Sequence, residues 1–212
     1  EDGGDKGTIA RRSSASWTLT TTGKTGHSSG VFGASLGYGA AYELARILDE
    51  FRRTLPERNL TFNIGVMAAG TPATLASNNY QMSASGKTNI VAEQADARGD
   101  LRALTPEQEA RTRAAMQAIV AKSLPGTSAK IEFEESYPPM APTAGNRALL
   151  VKLNAVNRDM KLPEMTEMDP AKRGAADSAF VAADVDTLAG LGVAGGGAHA
   201  EGEWVGLASM PL

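Results

Sequence analysis

The sequence predicts a mixed α/β protein that begins with a split βαββαβ domain of the ferredoxin-like type. Two observations predict it. Period-two alternation, typical of half-buried strands, recurs in four segments, and two amphipathic helical patterns separate them in the order strand, helix, two strands, helix, strand. Both helices of such a domain pack on one face of an antiparallel sheet. We place this domain at residues 16–137, after a short segment 1–15 and before a C-terminal part 138–212.

The first strands and the first helix follow one another without long interruptions. Apolar and β-branched residues alternate over 17–22 and predict a strand, and apolar residues at three-four spacing over 40–55 predict a helix. Alternation resumes over 60–66, whereas the Gly-, Ser-, Thr- and Asn-rich segment 70–87 predicts a loop. A third strand is expected over 89–104, where small residues alternate with charged ones, so that one face is buried and the other is charged.

The second helix is predicted to begin at a capping box. Residues 105–108, Thr-Pro-Glu-Gln, place a threonine at the cap, proline at the first helical position and glutamine three residues after the cap. A fourth strand follows at 130–134, and a proline-rich linker spans 137–142. Beyond it we expect a helix at 149–160 and a short helix at 173–183, in a C-terminal part too short to form an independent core.

Composition excludes several classes of protein. The chain has 21 Lys and Arg against 24 Asp and Glu, a net charge of -3, so no general field attracts nucleic acid or an anionic membrane surface. It contains no cysteine, which excludes disulfides, thiolate catalysis, zinc fingers and iron-sulfur clusters. With two histidines, any metal site must depend mainly on carboxylates. Its apolar runs are far shorter than a membrane span.

Three residues are candidates for a functional site, and each also has an ordinary interpretation. His27 lies among small residues in a loop after a strand, where a solvated polar side chain is common. His199 follows a glycine-rich turn and has Glu203 nearby, which makes it a candidate metal ligand. Arg102, on the charged face of a strand, would ordinarily form a surface ion pair with Asp100.

Four motifs occur in a definite order along the chain. They are Gly23-Lys24-x-Gly26-His27-Ser28-Ser29 after a strand, Asn89-Ile90-Val91 followed by Asp100-Leu101-Arg102, Arg173-Gly174-Ala175-Ala176-Asp177, and Gly195-x-Gly197-x-His199 with Glu203. Together they resemble the dizinc aminoacylase and carboxypeptidase superfamily, whose members include glutamate carboxypeptidase, peptidase T, succinyl-diaminopimelate desuccinylase and acetylornithine deacetylase. The resemblance covers essentially all 212 residues.

The resemblance implies a domain organisation and a partner. In this superfamily a lid domain is inserted into a zinc-binding α/β catalytic domain, and two lids pair edge to edge to form a homodimer. Residues 16–137 then correspond to the lid or dimerisation domain, and residues 138–212 correspond to the C-terminal portion of the catalytic domain. Residues 1–15 would be the tail of an upstream catalytic segment.

The resemblance also implies roles at the substrate. His27 resembles the lid histidine that reaches into the active site of the partner subunit and donates a hydrogen bond to the oxygen of the scissile carbonyl, which is the work of an oxyanion donor. Asn89 and Arg102 resemble the lid residues that hold the substrate's free carboxylate and neighbouring polar groups. A guanidinium group suits a carboxylate because it can donate two parallel hydrogen bonds.

The metal ligands follow from the same resemblance, with one departure from the pattern. His199 resembles the last zinc ligand, and Glu1 or Asp2 falls where the superfamily has an acidic zinc ligand just before the lid, with Glu1 preferred. Two zinc ions would be bound in the complete enzyme. Several members have a Ser or Thr before the Asp of the Gly-rich motif, but this chain has Ala176, so a hydroxyl contact to substrate there is not expected.

The expected function is a portion of a zinc-dependent hydrolase that cleaves an amide or peptide bond adjacent to a free carboxylate. The substrate would be a small peptide or an N-acyl amino acid, acted on as by an exopeptidase or amidohydrolase. In the superfamily the general base and the other zinc ligands come from residues before the lid, so we expect the chain alone to be inactive. One alternative is that the upstream segment is a partner present as a separate chain. The alternative function is a noncatalytic dimerisation or binding module.

Overall fold

The computed structural model describes residues 6–76, 78, 80–197 and 200–210. The strands are β1 (Lys6–Gly7), β2 (Ser14–Gly23), β3 (Thr61–Phe62), β4 (Val66–Gly70), β5 (Ala73–Leu75), β6 (Met82–Ala84), β7 (Gln94–Arg102), β8 (Thr127–Tyr137), β9 (Thr166–Glu167), β10 (Gly195–Gly196) and β11 (Trp204–Val205). The α-helices are α1 (Ala40–Thr54), α2 (Pro106–Val120) and α3 (Ala144–Asp159). Within these described residues, no helix has the length and apolarity needed to cross a bilayer.

The chain forms two compact units. The lid unit contains residues 14–103 and 107–136, and the terminal unit contains the described residues of 6–13, 104–106 and 137–210. The lid unit has the strand and helix order expected for a split βαββαβ domain. Its sheet has the order β3-β7-β2-β8, with β4 also paired to β7.

The centre of the lid sheet is the long antiparallel pair of β2 and β7. The register runs from Ala15 opposite Leu101 to Thr22 opposite Gln94. In β2 every second residue from Ala15 to Thr21 is buried, because these side chains face the helices while the intervening ones face outward. The mixed α/β fold class predicted from alternation is therefore confirmed.

A β-bulge divides the strand that the sequence predicts over 60–66. The pairing of β3 with β7 would bring residue 65 opposite Arg98, but β4 pairs Val66 with Arg98 instead. The N–H of Gly65 also donates to the Arg98 carbonyl (2.9 Å), so two residues oppose one. Two short strands therefore take the place of the single predicted strand. The sequence did not indicate the bulge, because a bulge leaves no mark in the alternation of so short a segment.

Two other local predictions were wrong. The segment 70–87 contains the antiparallel hairpin of β5 and β6, with Ala73 opposite Ala84, where a loop was predicted. These strands are three residues long, too short to show a period. At 173–183 the structure has a 3₁₀ turn over Asp177–Phe180 instead of the expected helix.

The hydrophobic core of the lid unit lies between the sheet and both helices. Trp17 is fully buried and meets Phe51 of α1 edge to face, with ring centroids 6.3 Å apart. Its indole N–H donates to the Asp100 carbonyl (3.0 Å), which satisfies the one polar atom of the side chain. Ile47 of α1 and Met116 of α2 belong to the same cluster, so both helices cover one face of the sheet.

The terminal unit is organised around Asn146 on α3. Its side chain is fully buried, and its amide nitrogen donates to the Ile9 carbonyl (3.0 Å) while its oxygen accepts from the Thr187 N–H (2.7 Å). The helix begins at Thr143, whose hydroxyl accepts from the N–H of Asn146 (3.0 Å). One side chain thereby connects three segments that are distant in the sequence.

Candidate functional site

The segment that follows β2 returns beside the segment that precedes β7, and this brings His27 next to Asn89. The N–H of Ser28 donates to the Asn89 carbonyl (2.8 Å), and His27 forms an antiparallel bridge with Ile90. The β2–β7 ladder is thus continued past its regular end. Both candidate side chains are exposed there. These backbone contacts place two of the three lid residues that the sequence singled out, His27 and Asn89, near each other in the structure.

The imidazole of His27 is held at one of its two nitrogens. Nδ1 accepts a hydrogen bond from the backbone N–H of Ser29 (3.2 Å) and lies 2.9 Å from the Ser29 hydroxyl oxygen. A backbone N–H can only donate, so Nδ1 must present a lone pair, and in the neutral ring the proton is then on Nε2. The ring therefore offers an N–H donor at Nε2.

The loop that follows His27 is tied to the turn between α2 and β8. The N–H of Tyr38 donates to the Pro125 carbonyl (3.1 Å). Gly37 has a φ of 75°, and a Cβ at this position would overlap the Pro125 carbonyl, so a glycine is needed for this close approach. The Lys24 ammonium donates to the Ser35 carbonyl (3.0 Å) within the same loop. These contacts fix the ends of the loop that carries His27.

Arg102 lies at the opposite end of the lid sheet. It is the last residue of β7, and eight residue steps of a strand separate it from Gln94 by roughly 25 Å. Its Nε donates to the Asp100 carboxylate (2.9 Å), and its side chain is about one-third exposed. The antiparallel register pairs this end of β7 with the start of β2, whereas His27 follows the end of β2. Arg102 and His27 therefore cannot contact one small substrate within a single copy of the lid unit.

A polar pocket of about 320 Å³ lies within the terminal unit. Arg11, Lys172 and Arg173 line it together with the glycines of β10 and Glu203. Arg11 and Arg173 are both buried, and the guanidinium of Arg11 donates to the Gly174 carbonyl (3.1 Å). Among the described residues that line it, three cations stand against one carboxylate, a balance that suits an anionic group.

Arg173 is a residue to which the sequence reasoning assigned no role. It is the first residue of the motif that begins the 173–183 segment. The signal that could have identified Arg173 is its position directly before Gly174, because a glycine has no side chain to occupy the space that a ligand of the guanidinium group would need. Its burial in the pocket is a tertiary property, since Arg11 comes from the other end of the chain.

The expected metal ligands His199 and Glu1, and the alternative Asp2, lie outside the described residues. Gly197, two residues before His199, lines the polar pocket. Within 6–76, 78, 80–197 and 200–210, no group of three His, Asp or Glu side chains is arranged to hold a metal ion. The described residues alone do not form a metal site.

The lid unit is thus a split βαββαβ domain that carries His27 and Asn89 at one end of its sheet. The sequence model of the peptidase dimerisation domain of the M20 family matches residues 9–128. Because this match covers more than half of the 212 residues, the chain belongs to that family. No curated protein sequence matches the chain.

Solved structures show the same fold. A tripeptidase from Staphylococcus aureus is similar with a TM-score of 0.68 and 19% identity, over 94% of this chain and 48% of that one. The aminopeptidase PepT from Bacillus cereus has a TM-score of 0.60 and 20% identity, over 89% and 46%. An amidase of the hydantoinase/carbamoylase family from Burkholderia multivorans has a TM-score of 0.53 and 15% identity, over 85% and 40%. The chain spans half or less of each of these proteins.

Proposed function

We propose that the chain is part of a metal-dependent hydrolase that cleaves an amide or peptide bond next to a free carboxylate. The observation that carries the proposal is the antiparallel bridge of His27 with Ile90, which places His27 near Asn89 at one exposed end of the lid sheet, with the His27 Nε2–H as a donor. The substrate class is a small peptide or an N-acyl amino acid. Residues 16–137 act as the lid, and residues 138–212 contribute to the catalytic domain.

His27 would stabilise the negative charge that develops on the carbonyl oxygen when the amide is attacked. A donor aimed at that oxygen is most effective when it does not reorient during the reaction. The backbone N–H of Ser29 holds Nδ1 and so orients the ring. Asn89, anchored through its own carbonyl to the Ser28 N–H, would hold polar groups of the substrate near its free carboxylate.

The position of Arg102 supports a composite site. Because Arg102 is roughly 25 Å from the end of β7 that leads to Asn89, one lid copy would serve two different sites. We assign Arg102 to binding of the substrate carboxylate. His27 and Asn89 would then complete the site of the partner subunit. This assignment requires a homodimer.

The edge of β4 is the surface that we propose for dimerisation. The N–H groups of Asn63 and Gly65 donate to the carbonyls of Asp100 and Arg98, and among the described strands β4 pairs with β7 alone, so its other edge is open. This strand has no charged residue. The other edge, β8, exposes Lys130 and Glu132 among other charges, and charges on an edge strand oppose pairing with another chain.

The surface next to β4 has features of a self-complementary interface. Met67 is 60% exposed and Ile64 is 42% exposed, and they line a groove of about 610 Å³ between the β3–β4 edge and α1. Asp49 and Arg52 also line this groove. In a twofold dimer the same patch of both copies meets itself. Asp49 of one copy can then face Arg52 of the other, because the two opposite charges lie a few residues apart. A second copy of the chain is therefore the proposed occupant.

We propose zinc as the metal, with two ions in the complete enzyme and with His199 and Glu1 as ligands that this chain contributes. What supports this is the chemistry of an imidazole and a carboxylate, both common zinc ligands. When bound, zinc would supply a polarised carbonyl and a water of lowered pKa. The zinc content of the protein can be measured directly: we expect His199→Ala to lower it, and an unchanged content would overturn the assignment of His199.

The hydrolase proposal is tested on the protein as its gene encodes it, by release of amino acids from dipeptides and N-acyl amino acids with added zinc. We expect His27→Ala to lower kcat by about 10²–10³ with a small change in KM, as for loss of an oxyanion donor. His27→Gln should recover part of the rate, because its amide N–H can donate. Unchanged turnover in both His27→Ala and His199→Ala would refute the assignment.

The dimer is tested by sedimentation of the chain at several concentrations. Met67→Lys should shift it toward monomer, because it places a charge on the open edge, while the exposed Glu132→Lys on β8 serves as the control with little effect. Dissociation by Glu132→Lys and not by Met67→Lys would assign the interface to the other edge. A stable dimer with no hydrolysis in any form of the protein would favour the alternative, a noncatalytic dimerisation module.

A further inference from the structure

A second cavity of the lid unit lies beside the His27 and Asn89 end and has no role in the reaction so far described. Its volume is about 300 Å³, the lower end of the range for small-molecule sites. Ser28 and Ile90 line it, and these are the residues directly after His27 and Asn89. Tyr38 and Tyr42 form further walls. We call this cavity the aromatic pocket.

An exposed aromatic cluster borders the aromatic pocket. The ring of Phe32 meets those of Tyr38 and Tyr42, with centroids 5.1 and 5.2 Å apart and the rings inclined to one another. Phe32 is 54% exposed and Tyr42 is 53% exposed. The chain has only eleven Phe, Trp and Tyr residues in all, so three of them meeting at the surface beside His27 is a concentration that core packing does not require.

Phe32 also has a backbone conformation that a bulky residue rarely adopts. Its φ is 68°, in the left-handed region. Its N–H donates to the Gly37 carbonyl (2.8 Å), and the Gly37 N–H donates to the Gly33 carbonyl (2.8 Å), so the turn is closed by backbone bonds on both sides. A glycine or asparagine would fit this turn with less strain. An exposed phenylalanine held there points to a use for its ring rather than to the needs of the fold.

The lining indicates what the pocket accepts. None of its lining residues is charged, so an anionic carboxylate has no partner there, in contrast to the polar pocket of the terminal unit. Aromatic walls attract another ring through offset or edge-to-face contacts, each adding about 0.5–1.5 kcal/mol beyond area burial. The polar side-chain groups of its lining are the hydroxyls of Ser28, Thr88 and the two tyrosines.

We propose that the aromatic pocket binds an aromatic side chain of the substrate next to the scissile amide, so that this lid selects aromatic peptides or N-acyl amino acids. The inference rests on the proposed function, because it takes the carbonyl oxygen to lie at His27. Ser28, directly after His27, and Ile90, which bridges His27, both line the pocket, so the pocket lies next to the residue that would hold the carbonyl oxygen. The lid thereby orients the substrate as well as polarising it.

The first test measures binding to the chain itself by two-dimensional NMR of its backbone amides. N-acetyl-L-phenylalanine should cause saturable shifts at Ser28, Gly39 and Ile90, while N-acetyl-L-alanine should cause much smaller ones. Tyr42→Ala should weaken the phenylalanine response about tenfold, and its fold should be retained because Tyr42 is an exposed helix position and alanine favours helices. The matched control is Tyr80→Ala, which removes a tyrosine that is 84% exposed outside the pocket.

The second test measures substrate preference in the protein as its gene encodes it. The ratio of kcat/KM for a phenylalanine substrate to that for the alanine analogue should fall about tenfold in Tyr42→Ala and stay unchanged in Tyr80→Ala. Hydrolysis with an unaltered ratio would overturn the aromatic pocket and leave the proposed function standing. Saturable shifts at the pocket without hydrolysis of any substrate would support the pocket and refute the proposed function. Absence of shifts at Ser28 and Ile90 would overturn the pocket.

Discussion

The two faces of the lid sheet are built from the same strands and have opposite chemistry. On the helical face, Trp17, Leu19 and Leu101 are fully buried against α1 and α2. On the outer face, the alternate residues form a ladder of polar contacts, including Thr20 with Asp96 (2.7 Å) and Thr22 with Ser128 (2.7 Å). The helical face holds the apolar contacts that stabilise the unit, whereas the outer face satisfies its polar groups with one another.

This division leaves the ends and the edges of the sheet available for function. His27 and Asn89 lie at one end, Arg102 at the other, and the β4 edge carries the proposed dimer surface. None of these residues belongs to the buried core cluster. Substitutions on the two faces should therefore change stability by very different amounts, and substitutions at the ends should change activity with little loss of stability.

The largest effect is expected for Trp17→Ala. This substitution removes a fully buried ring and leaves a cavity beside Phe51, so we expect a loss of about 3–5 kcal/mol in the free energy of unfolding of the lid unit. Urea unfolding followed by circular dichroism measures it. Its control is Thr18→Ala, the next residue on the outer face, which loses one hydrogen bond from Arg98 and should cost about 1 kcal/mol or less. Equal losses would contradict the division of the faces.

The next effect is expected for Gly99→Ala, a glycine on the helical face. A Cβ at this position would overlap the Asn63 carbonyl and approach Trp17 Cζ2 to 2.5 Å. We expect a loss of about 2–3 kcal/mol, because backbone and a buried ring must both move. At Gly65 in the adjacent bulge a Cβ would meet only the Arg98 carbonyl at 3.6 Å, so Gly65→Ala is the control and should have a small effect. Thermal unfolding of the two variants distinguishes them.

A smaller effect is expected for Glu43→Gln, a buried charge within the helical layer. Glu43 is fully buried, accepts from the N–H of Leu124 (3.0 Å) and pairs with Arg46 (2.6 Å). Glutamine keeps an acceptor for the N–H but loses the charge, so we expect a loss of about 1–2 kcal/mol in unfolding experiments. Glu50→Gln breaks the exposed pair with Arg53 and should cost about 0.5 kcal/mol or less. A similar loss in both variants would show that burial of Glu43 is unimportant.

The smallest effect is expected on the outer face, for Glu134→Gln. Two hydrogen bonds from Arg98 (2.8 and 2.7 Å) hold the pKa of the Glu134 carboxyl below its usual range, and the same bonds raise the pKa of Arg98. Because the folded pKa of Glu134 is depressed, its contribution is present above the unfolded value and is lost as the pH falls through the folded one.

Solvent and salt screen this pair, since half of the Glu134 side chain is exposed. We expect Glu134→Gln to lower the free energy of unfolding by about 0.5 kcal/mol or less near neutral pH, and the difference from the natural chain should vanish in acid. Urea unfolding at both pH values, with and without added salt, checks this. A difference that persists in acid would show that the charge of Glu134 is not its source.

Much of the lid could be predicted from local patterns. Alternation over 17–22 and three-four spacing over 40–55 correspond to β2 and α1, since each pattern repeats often enough to be distinguished from chance. The bulge at Gly65 and the β5–β6 hairpin could not be predicted, because each depends on one hydrogen bond or on strands of three residues. That His27 and Asn89 lie near each other could be expected only from the family resemblance, because 62 residues separate them in the sequence.

The sequence by itself determined the order of the elements, the side of each strand that faces the helices, and the absence of cysteine chemistry, since these follow from periodicity and composition. Only the tertiary structure decided which functional groups meet. It joined His27 to Asn89 through the Ser28 hydrogen bond, set Arg102 at the far end of β7, and brought Arg11 and Arg173 into one pocket. The physical reason is that such meetings depend on strand register and chain reversal, and both are set by contacts between residues distant in the sequence.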